Sequence, residues 1–155
     1  DKGLDRFIAL AHRLPQFSWH CFGQGPAQSL LTSSAVQNHR FYEDIQLIWP
    51  QIDLLVIPSR YEGLPMVALE ALAAGIPVIG YDVGDLATIL DDKVGALVTR
   101  NHQTALAQAI LTVATYSDEQ LQQLSQQAKT RIQNEWHGQE TIALCMAYYQ
   151  QCRQP

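Results

Sequence analysis

The chain has 155 residues, 47% apolar and only 16% charged, with a formal net charge of −5. That length suffices for one domain with a substantial core, and the composition argues against disorder. The ten Lys and Arg are scattered without a run, which argues against a nucleic-acid groove or a polybasic membrane patch.

Three cysteines, Cys21, Cys145 and Cys152, form no CxxC and read as thiols of a reducing compartment. No apolar run approaches the roughly 20 residues of a membrane span, and no signal peptide is legible. The first residue is Asp1 rather than Met. The expectation is a cytoplasmic fragment of a longer protein.

In chain order, residues 4–14 have helical apolar spacing, with Leu4, Phe7, Ile8, Ala11 and Leu14 on one face. Residues 17–22 read as a short strand that Gly23-Gln24-Gly25-Pro26 breaks. A helix is expected over 26–33, a weak strand over 38–42 and a helix over 45–52, although the last carries Pro50. Residues 54–57 are an unbroken apolar run, as for a strand buried on both faces. A loop over 58–63 leads to a helix over 65–74, with Pro in its first turn and Gly75 just past its end. Residues 77–80 and 96–99 read as further strands, with a short helix over 85–90 between them. Helices follow over 102–115, 118–135 and 139–152. Ser117 and Gln120 make a capping-box pattern at the start of the second.

Strands alternating with helices imply a Rossmann-like parallel sheet with helices on both faces, an α/β fold. Ligands bind such sheets beyond the carboxyl ends of the strands, which is where 58–65 lies. The informative stretch is Ser59-Arg60-Tyr61-Glu62-Gly63-Leu64-Pro65-Met66-Val67-Ala68-Leu69-Glu70. Here a strand ends, a loop turns and a helix starts at once, so free amides with partial positive charge offer an anion site. Gly63 allows close backbone approach. Pro65 has no amide, so the donors must be Leu64, Met66 and Val67.

Glu70 is the one polar side chain between Pro65 and Ala74. That pattern predicts a carboxylate off any solvated stripe, which then needs partners. A ribose diol offers two hydroxyl donors; a structural salt bridge or a backbone cap is the alternative. Glu62 could stabilise charge at a reacting carbon or accept a substrate hydroxyl bond, or be a plain surface carboxylate. His12, His20, His39, His102 and His137 show no metal-ligand spacing.

The run from Glu62 to Glu70, followed by Ala71-Leu72-Ala73-Ala74-Gly75-Ile76-Pro77-Val78-Ile79, resembles the E-x7-E region of family 4 retaining glycosyltransferases, which have the GT-B fold. Lys2-Gly3-Leu4-Asp5, the turn Phe22-Gly23-Gln24-Gly25-Pro26, the strand before Ser59 and the segment from Asn134 to Gly138 are similar to other parts of that family. The resemblance implies that 1–155 is the nucleotide-sugar-binding C-terminal domain, lacking the N-terminal acceptor domain. It implies that Lys2 contacts the donor diphosphate, that Glu70 holds the ribose hydroxyls and that Glu62, the catalytic candidate, contacts the transferred sugar near its anomeric carbon. Gly63, Leu64 and Met66 would lend backbone contacts to sugar and phosphate, with Val67 beside them, and Gly23 would let the base pack nearby. The chain departs from the family at Asp85, where a second glycine is usual, and at Thr88, where a glutamate is usual.

The activity so implied is hexosyl transfer with retention, from a UDP-, GDP- or ADP-sugar to an acceptor hydroxyl, in glycan or polysaccharide biosynthesis. No metal and no cofactor are implied. A glycan or lipid-linked acceptor would be held by the missing domain, peripheral to a membrane at most. The fragment alone would be inactive. The rivals are a non-catalytic nucleotide-sugar-binding module and a GT-B nucleotide-sugar epimerase. The resemblance also places the family's first strand just before Lys2. In a 3-2-1-4-5-6 sheet that strand is central, so five parallel strands with a gap are expected.

Overall fold

A computed structural model describes residues 1–32, 34–39 and 45–136. Among the described residues five strands are present, β1 (Trp19–Phe22), β2 (Val36–His39), β3 (Leu55–Ile57), β4 (Val78–Tyr81) and β5 (Gly95–Val98). The α-helices are α1 (Leu4–Arg13), α2 (Met66–Ala74), α3 (Leu86–Ile89), α4 (Gln103–Val113) and α5 (Asp118–Glu135).

All four residues of β4 are buried, because β3 and β5 pair with it in parallel on either side. Its side chains alternate between two cores. Ile79 and Tyr81 pack with Leu10, Ala11, Trp19, Val98, Leu106 and Ile110, under α1 and α4. Val78 packs with Ile57, Ala68, Ala71, Leu72, Leu86, Ile89 and Ala128, under α2, α3 and α5. A parallel strand covered on both faces must be apolar throughout, which is why this run was legible as a strand.

The sheet is interrupted. Among the described residues β1 pairs only with β2, and β3 begins a separate three-stranded sheet in the order β3-β4-β5. Among the described residues no strand joins β1 to β3. A cleft of about 1460 Å³ lies between them, lined by Phe7, Phe17, Trp19 and Cys21 on one side and Leu54, Leu55 and Val56 on the other. The buried indole nitrogen of Trp49, which also lines the cleft, has no hydrogen-bond partner among the described residues. Five parallel strands with a gap at the centre is the arrangement the sequence led us to expect.

Three expected elements are corrected. The helix over 26–33 is only a 3₁₀ turn, Gln28–Leu31. The strand expected over 38–42 is Val36–His39, starting earlier because Val36 reaches the core; residues 40–44 lie outside the described residues. The helix over 45–52 is two 3₁₀ turns, Ile45–Leu47 and Trp49–Gln51. Pro50 cannot donate the backbone bond an α-helix needs there. The expected helix over 139–152, with Cys145, Cys152 and His137, lies outside the described residues.

Candidate functional site

The site is built where β3 ends. Pro65 caps the start of α2 with an extended backbone and no side-chain cap. The amide of Ala68 bonds the Pro65 carbonyl at 2.9 Å, while those of Leu64, Met66 and Val67 find no acceptor among the described residues. At the other end Gly75, at φ 83°, closes the helix by donating to Ala71 and Leu72 carbonyls. Gly is favoured there because the left-handed conformation strains other residues.

Residues 1–5 are clipped onto the loop after β3. The Arg60 amide bonds the Asp1 carbonyl at 2.8 Å, and the Arg60 guanidinium grips both oxygens of Asp5 at 2.8 and 2.6 Å. That hydrogen-bonded pairing lowers the Asp5 carboxyl to about 2. Gly3 sits at φ 77°, and a Cβ there would lie 2.1 Å from the Pro58 carbonyl oxygen. The clip delivers Lys2 to Glu62, with Nζ 2.7 Å from Oε2. Ser59 Oγ lies 2.6 Å from the other oxygen, Oε1. The Glu62 side chain is only 6% exposed, against 77% for Lys2. Glu62 is therefore a held, buried carboxylate rather than a loose loop side chain.

The loop after β4 braces the same point. The Asp85 amide donates to the Gly63 carbonyl at 3.1 Å. Gly84, at φ 57°, lies so close that a Cβ would fall 2.1 Å from the Glu62 carbonyl oxygen. Asp85, one of the departures from the family pattern, thus supports the Glu62–Gly63 turn through its backbone. Gly63 itself opens onto free space, since a Cβ there would meet nothing within 4 Å.

Glu70 is half-buried, and among the described residues no hydrogen bond or ion pair holds it. Its place corrects the expectation of a carboxylate off the solvated side. Helical spacing puts it on the same side as Met66, Val67 and Ala73, all of them exposed. The face that packs inward carries Ala68, Ala71 and Leu72. The outer face of α2 is apolar yet uncovered by the described residues, so an apolar pattern did not mean burial.

Gly23 ends β1 at φ 125° with open space beside it, and its amide bonds the His39 carbonyl at 3.2 Å. Gly23, Lys2 and Val67 all line the central cleft; Glu62 and Glu70 do not. The structure thus joins Lys2 to Glu62 directly, sets Gly63, Leu64 and Met66 beside them along the chain, and places no contact between Glu70 and the rest. Next to Gly23, His20 Nδ1 and His39 Nε2 stand 2.8 Å apart. Their ring planes differ by 17° with centroids 5.0 Å apart, an edge-on N–H···N bond. Burial, and then the neighbouring His39, push His20 below the ordinary imidazole value. Sequence reasoning missed Ser59, Gly3 and Gly84 as builders of the site, though all three stand in segments it had marked.

A parallel α/β sheet flanked by helices on both faces is the fold class that GT-B glycosyltransferases share. The chain matches the model described as glycosyl transferases group 1 over residues 1–116, and it belongs to that family. It is 34% identical over 126 residues to an exopolysaccharide phosphotransferase of Streptomyces coelicolor, covering 71% of this chain and 13% of that protein. TuaC of Bacillus subtilis, named as a glycosyltransferase of teichuronic acid biosynthesis, is 36% identical over 105 residues, 64% of this chain and 25% of TuaC. Among solved structures, the sucrose-phosphate synthase of Thermosynechococcus elongatus superposes with a TM-score of 0.81 at 27% identity, over 97% of this chain and 42% of that one. Anabaena HepE, solved with UDP and glucose, shares the fold with a TM-score of 0.80 at 19% identity, over 95% of this chain and 45% of its own. The chain thus spans a quarter or less of these two curated relatives. Among the described residues no group of three or more His, Cys, Asp or Glu could hold a metal, and no helix is long and apolar enough to cross a membrane.

Proposed function

We propose that this chain is the donor site of a family 4 type glycosyltransferase and that its E-x7-E pair is Glu62 and Glu70. The reaction is transfer of a sugar from a UDP-, GDP- or ADP-sugar to an acceptor hydroxyl, with retention. The observation that carries this reading is the meeting of Lys2 and Glu62 across 2.7 Å at the open start of α2. A basic side chain and free helix amides at one point suit a diphosphate.

In this reading the Met66 and Val67 amides and Lys2 stabilise the departing diphosphate, the charge that develops as the glycosidic bond breaks. The incoming diphosphate draws Lys2 away from Glu62 and uncovers Oε2 toward the sugar. Glu70, on the outer face of α2 and unpartnered among the described residues, accepts from the ribose hydroxyls. Gly23 leaves space for the base at the end of β1. The acceptor binds to a second domain of the kind that fills out the longer relatives, in a cytoplasmic enzyme of glycan or polysaccharide assembly. A strand preceding Lys2 completes the sheet between β1 and β3.

A saturation-transfer NMR screen of UDP-, GDP- and ADP-sugars tests the donor site. Saturation should reach the ribose and sugar protons of one nucleotide class, and Glu70→Gln should diminish it. Binding of no member of the panel would overturn the proposal.

A further inference from the structure

Ser59 is the one polar residue among the described residues whose exposure falls to 2%. It follows β3 by two residues, so the sheet fixes its position. Its hydroxyl has two acceptors in range, Glu62 Oε1 at 2.6 Å and the Lys2 carbonyl oxygen at 3.4 Å. A serine hydroxyl has one proton to give. The shorter contact falls in the range of a hydroxyl donating to an ionised carboxylate, so the proton goes to Glu62.

The two oxygens of Glu62 therefore face different surroundings. Oε1 is tied inward to a buried hydroxyl, while Oε2 meets the ammonium of Lys2, a largely exposed side chain. We infer that Ser59 is a positioning residue: it fixes the carboxylate so that Oε2 is the oxygen presented to the donor sugar once Lys2 turns to the diphosphate. This rests on the proposed role of Glu62. Without the Ser59 proton the carboxylate can turn about its last bond, and the presented oxygen loses its fixed direction. Gly3 and Gly84 come close to the backbone at Pro58 and at Glu62 and so keep the loop in place.

The test is a double-mutant cycle in the intact protein with Ser59→Ala, Glu62→Gln and both together. The turnover readout is nucleoside diphosphate release from UDP-glucose, UDP-N-acetylglucosamine, GDP-mannose or ADP-glucose with water as acceptor, using the fastest donor. Calorimetric affinity for the matching free diphosphate is measured in parallel and reports that each variant is folded. Ser59→Ala should slow turnover about tenfold or more, the scale of one hydrogen bond to a charged group, while diphosphate affinity stays within about threefold. The double variant should be no slower than Glu62→Gln alone, because Ser59 acts only through Glu62. Ser59→Thr, which keeps the hydroxyl, should recover turnover. Wild-type turnover in Ser59→Ala beside a slow Glu62→Gln would overturn the inference, and so would additive losses or an equal fall in diphosphate affinity. Wild-type turnover in Glu62→Gln, or no release from any donor, would instead overturn the proposed function.

Discussion

Lys2 Nζ and Glu62 Oε2 meet at 2.7 Å across 60 residues of sequence, and only one of the two is buried. A carboxylate 6% exposed needs a compensating charge, while a lysine 77% exposed has water as an alternative. The pair therefore matters more to Glu62 than to Lys2, and Lys2 is free to change partner.

Lys2→Met should destabilise the domain by roughly 1–2 kcal/mol, because among the described residues Glu62 keeps only Ser59 as a partner. Diphosphate affinity should fall about tenfold or more, the scale of a lost charge-assisted bond. Adding Glu62→Gln should recover most of the stability, since a neutral amide needs no cation, but none of the affinity. Urea unfolding and calorimetry on the two variants check both halves. Unchanged stability in Lys2→Met would mean the pair does not hold in solution.

Gly84→Ala should be more damaging than a surface glycine change. The residue sits at φ 57°, and its Cβ would fall 2.1 Å from the Glu62 carbonyl oxygen and 2.7 Å from that of Gly63. Strain and overpacking together predict a loss of roughly 2–4 kcal/mol. Any folded variant should turn over slowly because the Glu62 turn has been pushed aside. Gly63→Ala, facing open space, serves as the structural control and should cost little stability. Equal melting temperatures for the two alanine variants would contradict the brace.

The His20–His39 pair gives stability a pH dependence. His20 Nδ1 lies 2.8 Å from His39 Nε2, and His20 sits below its usual value of 6.5, first because it is buried and then because the His39 ring lies beside it. A histidine whose folded value lies below the unfolded one is favoured neutral in the fold. The unfolded chain then binds more protons below about pH 6.5, so stability is full above that point and falls as pH drops through it. His39→Gln should flatten the fall by removing the second ring. Urea midpoints between about pH 7.5 and 5 check this; parallel curves for both proteins would remove the pair as its cause.

The parts of the fold legible in the sequence are those set by local rules. The apolar run of β4, Pro65 and Gly75 around α2, and Ser117 with Gln120 at the start of α5 each carry their own signal. The capping box is present as expected, with both reciprocal bonds. Glu62 and Lys2 were singled out separately, by loop position and by resemblance, but their contact was not legible because it joins distant segments. Ser59 and Gly84 were missed for the same reason. A buried hydroxyl and a backbone brace acquire meaning only when two loops meet. Glu70 was read as off the solvated side because apolar neighbours usually mean burial, and here the apolar face of α2 is open.

The central claim divides labour between the two glutamates, with Glu70 on the ribose and Glu62 on the sugar. Calorimetric affinity of the intact protein for the free nucleoside diphosphate separates them, since that ligand has a ribose and no sugar. Glu70→Gln should weaken binding about ten- to a hundredfold, the scale of one to two charge-assisted hydrogen bonds. Glu62→Gln should leave the affinity within about threefold of wild type while donor turnover falls sharply, as for a contact made mainly in the transition state. Equal losses of diphosphate affinity in the two variants, or no loss in either, would contradict the account.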